Sequence, residues 1–109
     1  MKSETQEKIA QLQMIEETLQ QYASSKQAIN TQILEIDSAL TEIEGKKSAY
    51  KIIGAIMIEK SGSDIKTDLL DKKKALDIKM SSIEKHEEKI RSKFESLQKE
   101  VMSEIKNGE

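Results

Sequence analysis

The one histidine of the chain, His86, stands directly before Glu87 and Glu88, the grouping most suggestive of a metal site. On a helix a second ligand must lie three or four residues away to share the same face. Those positions hold Ser82, Ile83, Lys89 and Ile90, none a good ligand, so the run reads as a charged, solvated face and no metal is expected. Serine and threonine are numerous, yet a single histidine leaves almost nothing to serve as base in a nucleophile–His–acid arrangement. There is no glycine-rich phosphate loop, and Gly54 lies in no phosphate-binding pattern. Nor does any part of the sequence promise a pocket that would desolvate a carboxylate for acid–base work. The expectation is a protein that is not an enzyme and needs no cofactor.

If the residues do no bond-making chemistry, their pattern must carry the function. The chain has 109 residues, enough for one domain, of which 35% are charged and 3% aromatic, and it lacks proline, cysteine and tryptophan. Phe94, Tyr22 and Tyr50 are the only aromatic side chains available to fill a globular core. Ile, Leu and Met set among Glu, Lys, Gln and Ser at helical spacing point to a coiled coil. The absence of proline removes the usual helix breaker, and the absence of cysteine excludes disulfides and thiolate chemistry. A net charge of −2 without a basic block gives nucleic acid little to hold. No apolar run approaches the roughly 20 residues that span a bilayer. MKSETQEK is followed by no apolar signal segment.

From Leu12 the apolar positions advance by three and four in alternation: Leu12, Ile15, Leu19, Tyr22, Lys26, Ile29, Ile33, Ile36, Leu40 and Ile43, with Lys26 the one break. A second stripe runs Leu69, Lys73, Leu76, Met80, Ile83, Glu87, Ile90, Phe94, Leu97 and Val101, broken at Lys73 and Glu87. A step averaging 3.5 residues keeps one face in register along a left-handed supercoil. Ser3-Glu4-Thr5-Gln6 has the form of a capping box, Ser63 or Asp64 is the expected cap of the second helix, and Asn107-Gly108 is a stop. The first helix is expected to fray out between Gly45 and Ser48. Paired antiparallel, facing positions have residue numbers adding to 112 or 113, which sets Lys26 opposite Glu87. A slip of one heptad would leave Glu87 unpaired against Leu19 or Ile33, so the polar breaks favour a single register. The alternative is a snorkelling Lys26 with no partner.

Between the stripes, residues 49–60 lose the heptad and become dense in isoleucine around Gly54. Two short strands joined by a tight turn at Gly54-Ala55 are expected, with Gly54 taking the positive φ that such a turn needs. One face would show Lys51, Ile53, Ile56 and Ile58, the other Tyr50, Ile52, Met57 and Glu59. A hairpin that is apolar on both faces invites pairing with other chains. The alternative, one continuous helical rod, is opposed by Gly54 and the lost heptad. The expected organisation is a mainly α, long antiparallel coiled-coil hairpin with a short β-hairpin at the bend: an N-terminal helix over 1–48, the β-hairpin over 49–60 and a C-terminal helix over 63–107.

The run Tyr50-Lys51-Ile52-Ile53-Gly54-Ala55-Ile56-Met57-Ile58 resembles the Tyr-Lys-x-x-Gly-x-Ile-Leu-Ile stretch of archaeal prefoldin β subunits. Ile83-Glu84-Lys85-His86-Glu87-Glu88-Lys89 resembles their Glu-Arg-Gln-Glu-Glu-Arg stretch, and Gln98 lies in a similar Leu-Gln context. His86 stands where the family usually has Gln, Ala55 stands where Asn is common, and the link into the first strand is short. The resemblance covers nearly the whole chain, and its specific part is the hairpin motif between two equal arms. It implies an ATP-independent chaperone subunit working in the cytoplasm within a hetero-hexamer of two α and four β subunits. Hairpins of all six would close a double β-barrel. The arm tips would grip unfolded client proteins and deliver them to a group II chaperonin. Assembly would rest on Tyr50, Ile52, Ile53, Gly54, Ile56, Met57 and Ile58. A holdase needs apolar groups that neighbours leave uncovered, and the tips offer Ile9, Leu12, Met14, Ile15, Leu97, Val101, Met102 and Ile105. Met14 and Met102 are expected to project outward, whereas Ile9 and Ile105 either project or extend the seam by a layer. The competing reading is a structural adaptor whose arms dock folded partners.

Overall fold

A computed structural model describes residues 3–108. Helix α1 spans Ser3–Ile43, strand β1 Ser48–Ile53, strand β2 Ile56–Ser61 and helix α2 Gly62–Lys106. The protein is mainly α, an antiparallel coiled-coil hairpin with a two-stranded antiparallel sheet at the bend. The helices fall into two compact units, one made of α1 up to Lys26 with α2 from Ser81, the other of Gln27–Met80 with the sheet.

Burial follows the stripes closely. Every stripe position from Leu12 to Ile43 and from Leu69 to Val101 is at least partly covered, while nearly all other helical positions are exposed. Among the described residues only Ile29, Ile36 and Val101 are buried apolar side chains, each at 4–6% exposure. The core is thus a seam one side chain wide. Each covered Ile or Leu contributes up to ~1.5–3 kcal/mol, less where half-exposed. Threonines inside the helices turn their hydroxyls inward along the backbone. Thr18, Thr31, Thr41 and Thr67 each donate to the carbonyl four residues earlier at 3.0–3.1 Å, the usual outlet for a hydroxyl in a helix interior.

α1 stops at Ile43, short of the expected 48, because Gly45 enters the left-handed region (φ 76°) and Lys46 N–H bonds back to the Ile43 carbonyl at 3.0 Å. The cap of α2 is Ser61, two residues ahead of the expected Ser63 and three ahead of Asp64. The Ser61 hydroxyl accepts from Asp64 N–H at 3.1 Å, the bond from cap to third helical residue. Gly62 is then the first helical residue, and its N–H donates to the Lys47 carbonyl at 2.9 Å. A Cβ at position 62 would lie 2.2 Å from the Lys46 carbonyl oxygen, so only glycine lets the end of the hairpin close against its beginning. At the far end of α2, Gly108 takes φ 86° and its N–H bonds to the Ile105 carbonyl at 3.2 Å, a glycine-terminated helix end.

In the unit that holds the helix ends, Lys26 Nζ donates to Glu87 Oε1 at 2.8 Å, and Arg91 approaches the other oxygen of Glu87 at 3.6 Å. The Glu87 side chain is 14% exposed and that of Lys26 32%. A carboxylate covered to that degree destabilises the seam if its partner is removed. Glu87→Lys should therefore lower the thermal midpoint, and the exchanged pair Lys26→Glu/Glu87→Lys should recover much of the loss. A double-mutant cycle in thermal unfolding measures this. Coupling near zero would mean the pair does not set the register.

Candidate functional site

Uncovered apolar side chains concentrate in the β-hairpin and at the joined helix ends, with Leu34, Leu70 and Ile78 exposed singly along the helices between them. In the hairpin the strands pair Ser48 with Ser61, Tyr50 with Glu59, Lys51 with Ile58, Ile52 with Met57 and Ile53 with Ile56. Gly54 has φ 59°, and among the described residues none other than glycine has positive φ. The turn therefore needs a left-handed residue only at its first central position, as in a type II′ hairpin turn. The strands run one residue beyond the expected 49–60 at each end. Alternation sorts the side chains onto two faces. Tyr50, Ile52 and Met57 on one face are 63–69% exposed, while Ile53 and Ile56 on the other are 52% and 64% exposed.

The base of the second face is tied to α2. Lys51 and Lys60 lie 3.6 and 3.9 Å from Asp68, and Ala49 and Lys60 are half-buried. These charges are well solvated and add little stability, but they orient the sheet against the helix. Beside them an open apolar groove of about 340 Å³ is lined by Ala39, Ile43, Ala49, Tyr50, Ile52 and Leu69. Lower in the same unit, Lys73 turns out of its stripe position and donates to Asp37 Oδ1 at 2.6 Å. That hydrogen bond, with the charge on Asp37 behind it, holds the lysine above its ordinary 10.5.

The helix ends are pinned to each other. Thr5 is fully buried, and its hydroxyl donates to Glu104 Oε2 at 2.6 Å. Lys8 Nζ donates to Glu104 Oε1 at 2.5 Å and lies 3.4 Å from Glu100. The hydrogen bond to Glu104 is the main reason that Lys8 also stands above its ordinary 10.5, with the nearby charges of Glu104 and Glu100 adding to it.

The structure sorts the eight tip residues into distinct settings. Met14 and Met102 project at 67% and 65% exposure, and Ile105 is exposed as well. Ile9, Leu12, Ile15 and Leu97 are half-covered, and Val101 is buried in the seam. Ile9 thus falls nearer the seam and Ile105 nearer solvent. Met102 and Ile105 each follow a seam residue by one position, a rotation of about 100°, so they emerge at its side. The sequence pattern singled out none of Lys8, Glu100, Glu104 and Asp68, and it placed Thr5 only within a capping box. The first and last seam positions could have been found by carrying the three-four step onward through polar residues.

Two helices running antiparallel, one sheet hairpin at their bend and uncovered apolar groups on the sheet and the helix ends define a coiled-coil hairpin protein with a β-turn head. The chain belongs to the prefoldin subunit family, which matches residues 6–108. It is similar to the prefoldin subunit beta of Methanospirillum hungatei, with 30% identity over 103 residues, covering 92% of this chain and 86% of that protein. The prefoldin subunit beta of Archaeoglobus fulgidus is 24% identical over 103 residues, covering 92% of this chain and 89% of the relative. The crystal structure of the prefoldin beta subunit from Thermococcus strain KS-1 has the same fold, with a TM-score of 0.86 at 24% identity, over 94% of this chain and 92% of that one.

Raised lysines have a defined consequence for alkaline stability. Lys8 and Lys73 bind their protons more tightly in the folded chain than unfolded, so their contribution is complete below pH 10.5 and lost as pH rises through the raised values. Thermal midpoints of the wild type should fall more steeply above pH ~10.5 than those of a Lys8→Met/Lys73→Met variant. Parallel curves would mean that neither ion pair contributes measurably.

Proposed function

We propose that this chain is an ATP-independent chaperone subunit that captures unfolded proteins with the ends of its helical arms and delivers them to a group II chaperonin. The observation that carries the reading is the hairpin. Six apolar side chains, Tyr50, Ile52, Ile53, Ile56, Met57 and Ile58, stand exposed on both faces of an isolated two-stranded sheet, an arrangement that is marginal in water until other strands cover it. In this reading the hairpins of several subunits merge into a shared β-barrel. The proposed partners are an α subunit, in a hetero-hexamer of two α and four β, unfolded clients and the chaperonin, in the cytoplasm. Similarity to archaeal beta subunits over more than nine-tenths of the chain supports it.

The standing client surface is then Met14, Met102 and Ile105, with Ile9 half-covered beside them. Methionine is flexible and polarisable, which suits a site that must accept many apolar sequences. Leu12, Ile15, Leu97 and Val101 lie beneath them as support. Purified chain in its native oligomer should suppress aggregation of an unfolded protein without nucleotide. Activity only toward a folded partner would favour an adaptor.

Assembly and capture separate by mutation. Ile53→Asp/Ile56→Asp would place charge inside any shared sheet, a large penalty. The oligomer should dissociate while circular dichroism shows the helices retained. An unchanged mass would move association to the arms. Deleting residues 1–15 and 97–109 should leave the oligomer intact, lower arm stability modestly and abolish most holding activity. Full holding by the intact truncated oligomer would place client binding elsewhere.

A further inference from the structure

The helix ends carry a feature that neither assembly nor an apolar capture surface requires. Ends of helices open most readily in a protein, and a holdase could simply leave them loose. Here Thr5, close to the start of α1, is fully buried, and Glu104, near the end of α2, accepts from both Thr5 at 2.6 Å and Lys8 at 2.5 Å, with Glu100 3.4 Å from the same ammonium. Directly below lies Val101, the one buried apolar residue of this unit among the described residues, followed by the half-covered Ile9, Leu12, Leu97 and Ile15. The polar layer therefore sits at the end of a covered apolar stretch, beside the exposed Met14, Met102 and Ile105.

We propose that Thr5, Lys8, Glu100 and Glu104 form a latch whose opening releases Val101, Ile9 and Leu12 to a bound client, so that the tip holds one capture surface standing and a second in reserve. This rests on the tips being the capture surface. The latch is suited to reversible opening. The Lys8 and Glu104 side chains remain about a quarter exposed, at 26% and 24%. Their attraction is therefore screened by salt rather than locked by burial. Thr5 gives the closed state its geometry, because its buried hydroxyl needs the acceptor that Glu104 supplies. Raised salt should open the latch even as it strengthens apolar association with a client, whereas a purely apolar tip would only tighten.

The test is amide hydrogen exchange of the full-length chain in its native oligomer, without client, followed by an aggregation-suppression assay on the same samples. Glu104→Lys should speed exchange of the tip amides, residues 97–106, on the order of tenfold while leaving the amides around Ile36 unchanged. Wild-type tip exchange should rise with salt, and that of the variant should not. Lys8→Glu/Glu104→Lys should restore part of the protection, held short of full by Glu100 facing the new carboxylate. Glu104→Gln, which keeps an acceptor for Thr5, should give an intermediate effect and guards against a misfolded charge reversal. Faster exchange with higher holding capacity per oligomer supports the proposal. Exchange unaffected by Glu104→Lys and by salt overturns the latch. Faster exchange with unchanged holding overturns its role in capture. Loss of the tip reading itself is seen separately, as full holding by the chain lacking both tips.

Discussion

One narrow apolar seam holds this protein together, and the rest of the structure depends on how little it can bury. Two amphipathic helices with almost no aromatic residues share a stripe one side chain wide. Three apolar residues fall below a tenth exposed among the described residues. In a globule a lost register could be absorbed by repacking around a three-dimensional core. In a seam it cannot, since a shift of one heptad moves every layer at once. Specificity must come from polar groups inside the stripe, and they occur at Lys26 with Glu87 and at Lys8 with Glu104. Such pairs add little net stability. They make mismatched alignments costly, which is what a repetitive interface lacks.

The same constraint leaves apolar side chains uncovered at the sheet and at the helix ends. A seam this narrow borders open grooves, such as the one lined by Ile43, Ile52 and Leu69. It also offers surface, and where charged side chains give way to apolar ones that surface becomes adhesive. The sheet is adhesive on both faces, with its alternating residues uncovered whichever way they point. The helix ends mix exposed and covered apolar groups. Met14 and Met102 project there, while Val101 stays buried beside the Thr5–Lys8–Glu104 cluster.

The junction between sheet and helices shows how exact backbone fitting supports an otherwise loose design. Ser61 belongs to β2 by its pairing with Ser48 and caps α2 by its hydroxyl, so the strand ends on the residue that starts the helix. Gly62 follows with no room for a side chain against Lys46, and Gly45 turns the chain out of α1 on the other side. Asp68, nearly two turns up α2, receives Lys51 and Lys60 from the sheet. A hairpin this small would be free to swing. Two glycines, one serine and one aspartate set its direction relative to the helices that carry it.

The sequence by itself determined the two helices, their seam residues, the hairpin with its register and turn, and the opposition of Lys26 and Glu87. These follow from strong local rules: a period of 3.5 in the arms, a period of 2 in the strands, and glycine where φ must be positive. It also marked the apolar tip residues as a group. Tertiary structure decided which of them face solvent, because Ile9 and Ile105 differ only in where each falls around its helix relative to the partner. It decided that Ser61 rather than Ser63 or Asp64 caps α2, since three polar residues in a row give several equivalent caps until the strand fixes where the chain arrives. It turned Lys73 toward Asp37, which no stripe of apolar residues reveals. And it closed the helix ends with Thr5, Lys8 and Glu104. A pattern read from apolar residues stops at Leu12 and Val101, whereas the physical seam continues in polar ones, whose pairing depends on two chain segments nearly a hundred residues apart meeting at hydrogen-bond distance.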